Sequence, residues 1–265
     1  MLEMIVTEEI LELTSVYLKR EVICSLIVPE DFDNLSKINL LLLNDGQEVE
    51  NLQLKSTLNI LYDKQQIKPT LVAAIHAGER IQEYGTAGTP DFKGRGSKAA
   101  AYTSFIIKEL MPKLQELIGM KTFDTIAFAG FSLGGLSALD IAWNNSDLFD
   151  KVGAFSGSFW WRSKELGEGY CDENDRIMHK IIRQKQHRPE LKFWFQTGTK
   201  DETADRNKNY IIDSMDDTVD LIKTLENKGY RRPTDIRYVE IINGKHNVET
   251  WTKAMPMFLR WAFCK

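Results

Sequence analysis

Ser132 lies in the pentapeptide Gly130-Phe131-Ser132-Leu133-Gly134, and its flanks decide what the pattern means. The apolar run Ile126-Ala127-Phe128-Ala129 reads as a strand of a buried parallel sheet, and Leu133 to about Trp143 reads as a helix. Strand, Gly-x-Ser-x-Gly and helix in that order predict a nucleophile elbow. The turn is sharp, so the serine takes a strained backbone conformation, and side chains at Gly130 or Gly134 would collide with the neighbouring turn. Its hydroxyl then stands at the C-terminal edge of the sheet, near the first free N–H groups of a helix, which can stabilise a developing oxyanion. The competing reading is a glycine-rich turn that only permits close packing.

A serine hydroxyl needs a base within hydrogen-bond reach, and on such an elbow the partners follow in the order Ser, Asp or Glu, His. The chain has four histidines. His76 precedes Ser132, His179 falls inside a helical pattern, and His187 stands before Arg188-Pro189 in a polar stretch. His246 follows a strand and precedes the last helix, where a general base belongs. Between Ser132 and His246, Asp201 comes four residues past the strand Leu191–Thr197, with Glu202 and Asp205 as neighbouring carboxylates. Its role would be to hold the imidazole tautomer. For the oxyanion, the N–H of Leu133 is one donor. The loops Asn44-Asp45-Gly46-Gln47 and Ala77-Gly78-Glu79 both qualify to supply the second.

The elements that position these groups alternate. Residues 5–28 form two strands of an antiparallel hairpin, the second ended by Pro29. Ile38–Leu43, Thr70–His76, the elbow strand, Val152–Ser156, Leu191–Thr197 and Asp235–Ile242 are further strands. Helices are expected over Leu52–Tyr62, Lys98–Leu117 (with Pro112 kinking or splitting it), 163–190 as a helical excursion off the sheet, Asp213–Lys228 and about Thr250–Phe263, with Pro256 inside or dividing the last. Residues 81–97 are a long loop rich in Gly, Thr and Pro, of the kind that carries function. Strands alternating with helices predict an α/β fold with a doubly wound, mostly parallel sheet, an N-terminal antiparallel hairpin and helices on both faces. No repeat or linker is visible, so the 265 residues are read as one domain.

Composition excludes several classes. A net charge of −4 with scattered basic residues argues against a nucleic-acid surface. No window approaches the ~18 apolar residues of a membrane span. Met1 to Glu9 carries acids where a signal peptide needs basic residues, so a cytoplasmic protein is expected, although a chain cut short of a leader would look the same. Cys24, Cys171 and Cys264 are odd in number and far apart, which fits packing residues in a reducing compartment.

With these residues in place, the chain resembles the putative-esterase family of α/β-hydrolases, which holds esterase D, enterobactin esterases, feruloyl esterases and mycolyltransferases. Leu41-Leu42-Leu43-Asn44-Asp45-Gly46-Gln47 is similar to the family's strand ending in Asp/His-Gly. That resemblance implies Gln47 as the second oxyanion donor. Glu109-Leu110-Met111-Pro112, the elbow, Ser146 to Phe149 with Ala154 to Gly157, and His246 to Trp251 carry the rest, over roughly residues 38–260. The Arg80-x-x-Glu83-Tyr84 run is more similar to the enterobactin-esterase side than to esterase D. The implied activity is hydrolysis of a small-molecule carboxylic ester through an acyl-enzyme, with no cofactor needed for the chemistry. Acyl transfer to another alcohol and a non-catalytic binding module are the alternatives.

On the substrate side, Arg80 and Tyr84 leave one strand end, and Trp160 and Trp161 leave another. An aromatic wall suits an aromatic or hydrophobic acyl group. The Trp pair capping the core, and Arg80 pairing with Glu83 or Asp91, are the plainer readings. Finally, Asp205, Asn207, Asn209, Ile211, Asp213 and Asp216 have the spacing of an EF-hand-type calcium loop, a structural rather than catalytic site. Tyr210 stands where glycine normally turns that loop, and Asp213 is also a natural helix N-cap. Oligomeric state is not legible.

Overall fold

The computed structural model describes residues 5–30, 37–119, 122–186 and 190–265. Eight strands form one sheet in the order β1-β2-β4-β3-β5-β6-β7-β8: β1 Val6–Ser15, β2 Arg20–Pro29, β3 Asn39–Asn44, β4 Thr70–Ile75, β5 Ile126–Phe131, β6 Lys151–Phe155, β7 Lys192–Lys200 and β8 Ile236–Lys245. β1 and β2 form the expected antiparallel hairpin, and β2 meets β4 antiparallel. From β4 to β8 every pairing is parallel. The C-terminal ends of β3, β5, β6, β7 and β8 therefore gather along one edge.

The sheet is buried on both faces because its central strands are apolar at every position. In β3, Leu40 and Leu42 join one core while Leu41 and Leu43 join the other. The helices are α1 Leu54–Asp63, α2 Arg80–Glu83, α3 Ala99–Phe105, α4 Met111–Leu117, α5 Leu133–Asn144, α6 Asp172–Asp175, α7 Ile177–Gln184, α8 Asp213–Glu226 and α9 Val248–Phe263. α1 and α9 cover one face through Leu54, Leu58, Met255 and Phe258. Phe105, Leu139, Trp143, Ile182 and Leu221, from α3, α5, α7 and α8, cover the other. None of the described helices is long and apolar enough to cross a membrane.

Three expectations are refined. The 98–117 helix is interrupted by a π-helical turn at Ile106–Leu110, directly before Pro112. Proline has no N–H and its ring crowds the carbonyl four residues back, so a widened turn accommodates it. Pro256 instead stays inside an unbroken α9. That helix begins two residues early because Asn247 caps it, its side chain accepting from Thr250 N at 3.0 Å. At α8, Ile212 takes the N-cap place and Asp213 is the first helical residue. His187 falls outside the described residues.

One buried ion pair ties the hairpin to the loop that precedes the site. Arg20 at the start of β2 donates from Nε at 2.7 Å and Nη2 at 2.6 Å to Glu83 of α2, whose carboxylate is almost wholly buried. Burial raises the Glu83 pKa, but the Arg20 bonds and charge outweigh it, leaving the group below its ordinary range. Its stabilisation is therefore present above the unfolded carboxyl's pKa and lost as pH falls through the folded value. Glu83→Gln is expected to cost about 3 kcal/mol, the low end for breaking a buried pair because Arg20 keeps some solvent. That is a fall in melting temperature of about 6–12 °C at pH 7. The gap between variant and wild type should shrink below about pH 4.

Candidate active site

The elbow forms as the glycines require. Ser132 sits at φ 54°, ψ −119°, between β5 and the first turn of α5. A Cβ on Gly130 would stand 2.5 Å from both the carbonyl carbon and oxygen of Gly134. No side chain fits there, so the strand and helix close to van der Waals contact and Ser132 has one direction to face. Neighbouring elements hold it: Ser132 N donates to Phe155 O of β6 at 2.9 Å, and Ser158 N donates to Ser132 O at 3.1 Å. At the end of β3, Asn44 Nδ2 donates to Gly134 O at 2.7 Å and Asn44 Oδ1 accepts from Tyr102 OH.

Ser132, Asp201 and His246 come from three separate strand ends and line one cleft of about 450 Å³, with Leu133, Ser156, Ser158 and Trp160 on its walls. On the other side of the serine, Ser132 and His246 border a hollow of about 360 Å³ with Gln47 and Trp251. Leu133 lines the first of these and Gln47 the second, each beside Ser132. The Ser132 hydroxyl is hydrogen-bonded to Ser158 Oγ at 3.2 Å. Among the described residues no hydrogen bond joins His246 to Ser132 or to Asp201.

Charge nevertheless links the groups. Burial is the largest influence on both Asp201, whose pKa it raises, and His246, whose pKa it lowers. Asp201 pulls His246 back up, and the nearby Arg80 guanidinium pushes it down again. The net result favours a neutral imidazole at pH 7, the form that can take a proton. Asp201 accepts from Gly198 N at 3.0 Å through Oδ2, while Oδ1 is buried without a donor. Gly198 is another place where only glycine fits, since a Cβ there would lie 2.4 Å from Gly244 O and 2.6 Å from Asp201 Oδ1. Glu202 also borders the cleft; Asp205 is taken up elsewhere, capping Asn209 N and Tyr210 N.

Two of the four substrate-side expectations are corrected outright. Tyr84 is fully buried and its hydroxyl accepts from Asp45 N, so it shapes the β3 loop rather than a ligand. Trp161 is fully buried in the core. Arg80 borders the cleft, but its guanidinium is committed to Asp45 at 2.7 and 2.9 Å and to Phe131 O at 3.2 Å. It fixes the loop that carries Gln47, and Glu83 pairs with Arg20 rather than with Arg80. Trp160 remains at the cleft wall. His76 and His179 are accounted for as well. His76 Nε2 is 3.1 Å from Ser25 Oγ, and His179, wholly buried, meets Asp217 O at 3.0 Å with its pKa pushed down to about 3 by burial.

In the 205–216 loop the oxygens are distributed among several partners. Asn207 and Asn209 donate to Asp216 Oδ2 at 2.8 and 2.6 Å, and Asp213 pairs with Arg206 at 3.1 Å. Ile211 N donates to Asn209 Oδ1. No group of three His, Cys, Asp or Glu side chains among the described residues is gathered so as to hold a metal.

Ser156 is the residue that sequence reasoning missed. It leaves β6 at φ 46°, is buried, and accepts from Trp251 Nε1 at 3.1 Å. Burial raises the Asp201 pKa overall, and the Gly198 N–H and then the Ser156 hydroxyl oppose that rise. The available signal was three small polar residues, Ser156-Gly157-Ser158, at the C-terminal end of a parallel strand, where ligands and catalytic groups collect. Ser156→Ala, and Ser156→Gly, which suits the positive φ, are each expected to lower kcat about tenfold with little change in KM, the scale of one lost hydrogen bond. The acid limb of the pH profile, set by His246, should move to lower pH, because a less-charged Asp201 raises the imidazole pKa less. An unchanged profile would leave Ser156 a merely structural residue.

The fold is shared with known esterases. The chain superimposes on the enterobactin esterase from Shigella flexneri with a TM-score of 0.74 at 18% identity, covering 97% of this chain but 58% of that one. A ferulic acid esterase gives 0.72 at 18% identity, covering 98% of both chains. The siderophore hydrolase EstB from Aspergillus nidulans gives 0.69 at 16%, covering 96% and 94%. The chain thus spans little more than half of the bacterial enzyme and nearly all of the other two. No curated protein matches it by sequence. The family model described as Putative esterase matches residues 15–262, and this chain is a member of that family.

Proposed function

We propose that the protein is a serine hydrolase of carboxylic esters in which Ser132, His246 and Asp201 act together. The observation that carries the reading is Ser132 on its strained elbow, opening into the same cleft as His246 and Asp201. The esterase family and the enterobactin, siderophore and ferulic acid esterases of like fold support it.

In this mechanism His246 takes the proton of Ser132 as Oγ forms a bond to the ester carbonyl carbon. The carbonyl oxygen becomes an oxyanion, which the N–H groups of Leu133 and Gln47 stabilise. The tetrahedral intermediate collapses by breaking the bond to the alkoxy oxygen, and His246 returns the proton to the departing alcohol. Water, deprotonated by the same imidazole, then cleaves the acyl-enzyme and frees the acid. Asp201 holds the ring and stabilises the imidazolium in both halves; its donor-free Oδ1 suits that task. A neutral His246 is required at the start, so activity falls as pH drops through its lowered pKa. The acid limb should have its midpoint below about pH 6.5.

The test is hydrolysis of p-nitrophenyl esters, acetate through octanoate. Ser132→Ala is expected to lose at least about 10³-fold in kcat, and Asp201→Asn to lose a comparable factor with folding intact. Wild-type rates in Ser132→Ala would sink the reading. A cytoplasmic location belongs to the same proposal and rests on the cysteine usage. A structural calcium on the 205–216 loop is a separate proposal, resting on spacing alone. The ion would have to draw Asp213 away from Arg206. Melting in 1 mM calcium against chelator decides it: a rise of several degrees supports the ion, and an unchanged melting temperature retires it.

A further inference from the structure

Beside the catalytic cleft lies a second hollow of about 340 Å³, and the two share Arg95, Trp160 and Glu202 as common wall. Four cations face this hollow: Lys93, Arg95, Arg162 and Arg206. Two of them are answered within the protein. Arg95 is bound to Asp91 through both Nε and Nη2, and Arg206 is bound to Asp172, Asp213 and Asp217.

Arg162 is different. No carboxylate among the described residues pairs with it, and its Nε is buried without an acceptor. Aromatic rings hold it instead. Its guanidinium carbon lies 5.2 Å from the centre of Phe92, 5.8 Å from Trp160 and 6.0 Å from Tyr170. Ring faces attract the cation and fix its plane, yet they leave its N–H donors unspent. With Nε enclosed, the two Nη groups remain for a ligand, and a planar guanidinium can meet a carboxylate in two bonds.

The charge count limits the ligand. Of the acids facing the hollow, Asp213 and Asp217 are met by Arg206, and Asp217 by Arg176 as well. Lys93, Arg95, Arg162, Arg206 and Arg176 stand against Asp91, Asp172, Asp213, Asp217 and Glu202, so the charges of the hollow and its partners balance. That disfavours a phosphate dianion, while Arg162, which pairs with no carboxylate among the described residues, leaves a place for a monoanion. Trp160 stands on the wall of both hollows, the one bordered by Ser132 and the one bordered by Arg162.

We propose that Arg162, framed by Phe92, Trp160 and Tyr170, is a subsite for a carboxylate carried on an aromatic ester substrate. The proposal rests on the esterase reading for the bond that is cleaved, but not for the binding itself.

The test uses 4-acetoxybenzoate and 3-(4-acetoxyphenyl)propanoate, which set the carboxylate at two distances from the ester, each beside its neutral amide. Binding is measured by titration calorimetry on Ser132→Ala protein, and hydrolysis is measured on the wild type. At least one carboxylate is expected to bind about tenfold or more tightly than its amide, the scale of a hydrogen bond to a charged group. In hydrolysis the same preference should fall on KM. Arg162→Gln should abolish the preference, and Arg162→Lys should restore part of it, with melting curves confirming that both are folded. Equal binding of carboxylate and amide at both lengths overturns the subsite, as does a preference that survives Arg162→Gln. Preferential binding without hydrolysis of these or of p-nitrophenyl esters overturns the esterase reading and leaves the subsite standing.

Discussion

The site depends on a contact with no room in it: the face of Gly130 against the carbonyl of Gly134. Because residue 130 carries no side chain, α5 starts directly over the end of β5. Because α5 starts there, Ser132 is forced to φ 54° and its hydroxyl stands clear of the sheet. The same approach lets Asn44 reach across from β3 to Gly134 O, which brings the Asp45–Gln47 turn beside the serine. A single steric constraint thus sets Ser132, the helix N-terminus and the neighbouring loop relative to one another. The strain is local, and the parallel pairings of β3, β5 and β6 hold it in place.

Around this elbow, buried charge works as scaffolding. Arg80 clamps Asp45, Arg20 clamps Glu83, and Arg176 with Arg206 clamps Asp217. Each pair joins segments far apart in the chain, and each would leave an uncompensated charge if one partner were lost. Such pairs contribute little net stability compared with well-packed apolar groups, but they fix loops that have no regular structure to fix them. Two of the three clamps lie on the turns that flank the cleft, so geometry at Ser132 is maintained by residues whose charges are spent on each other.

The fold and the elbow were legible because they follow from period and sterics. Fully apolar runs such as Leu40–Leu43 predict strands buried on both faces, and the glycines at 130 and 134 predict the turn. Partner choice was not legible. Arg80, Glu83 and Tyr84 cluster at a strand end and read as a binding face, yet each finds its partner in a distant segment: Asp45, Arg20 and the Asp45 amide. A cation shows its type in a sequence but not its counterion. For the same reason Arg162 carried no signal, since its distinguishing feature is the carboxylate it lacks. Ser156 was hidden because a serine before glycine reads as an ordinary turn, and only the packing of Trp251 and Asp201 around it gives it a role. Oxygen spacing along residues 205–216 showed which side chains share a loop, but not that Asp213 would turn to Arg206.

Trp160 and Trp161 show how chemistry and specificity divide between sheet and loops. The two indoles part at a turn closed by Trp161 N donating to Ser158 O at 3.1 Å. Trp161 goes inward, and a Cβ on Gly85 or Gly96 would stand 2.9 Å from its ring in each case. The long loop between α2 and α3 is therefore wrapped on a buried indole and has little freedom to move as a lid. Trp160 goes outward and meets Arg95, from that same loop, and Arg162 on its ring. The segment leaving β6 thus anchors the loop with one tryptophan and presents the cleft wall with the next. Changes in the loop's outward residues can alter what the cleft accepts while the indole beneath keeps the loop in register with the elbow.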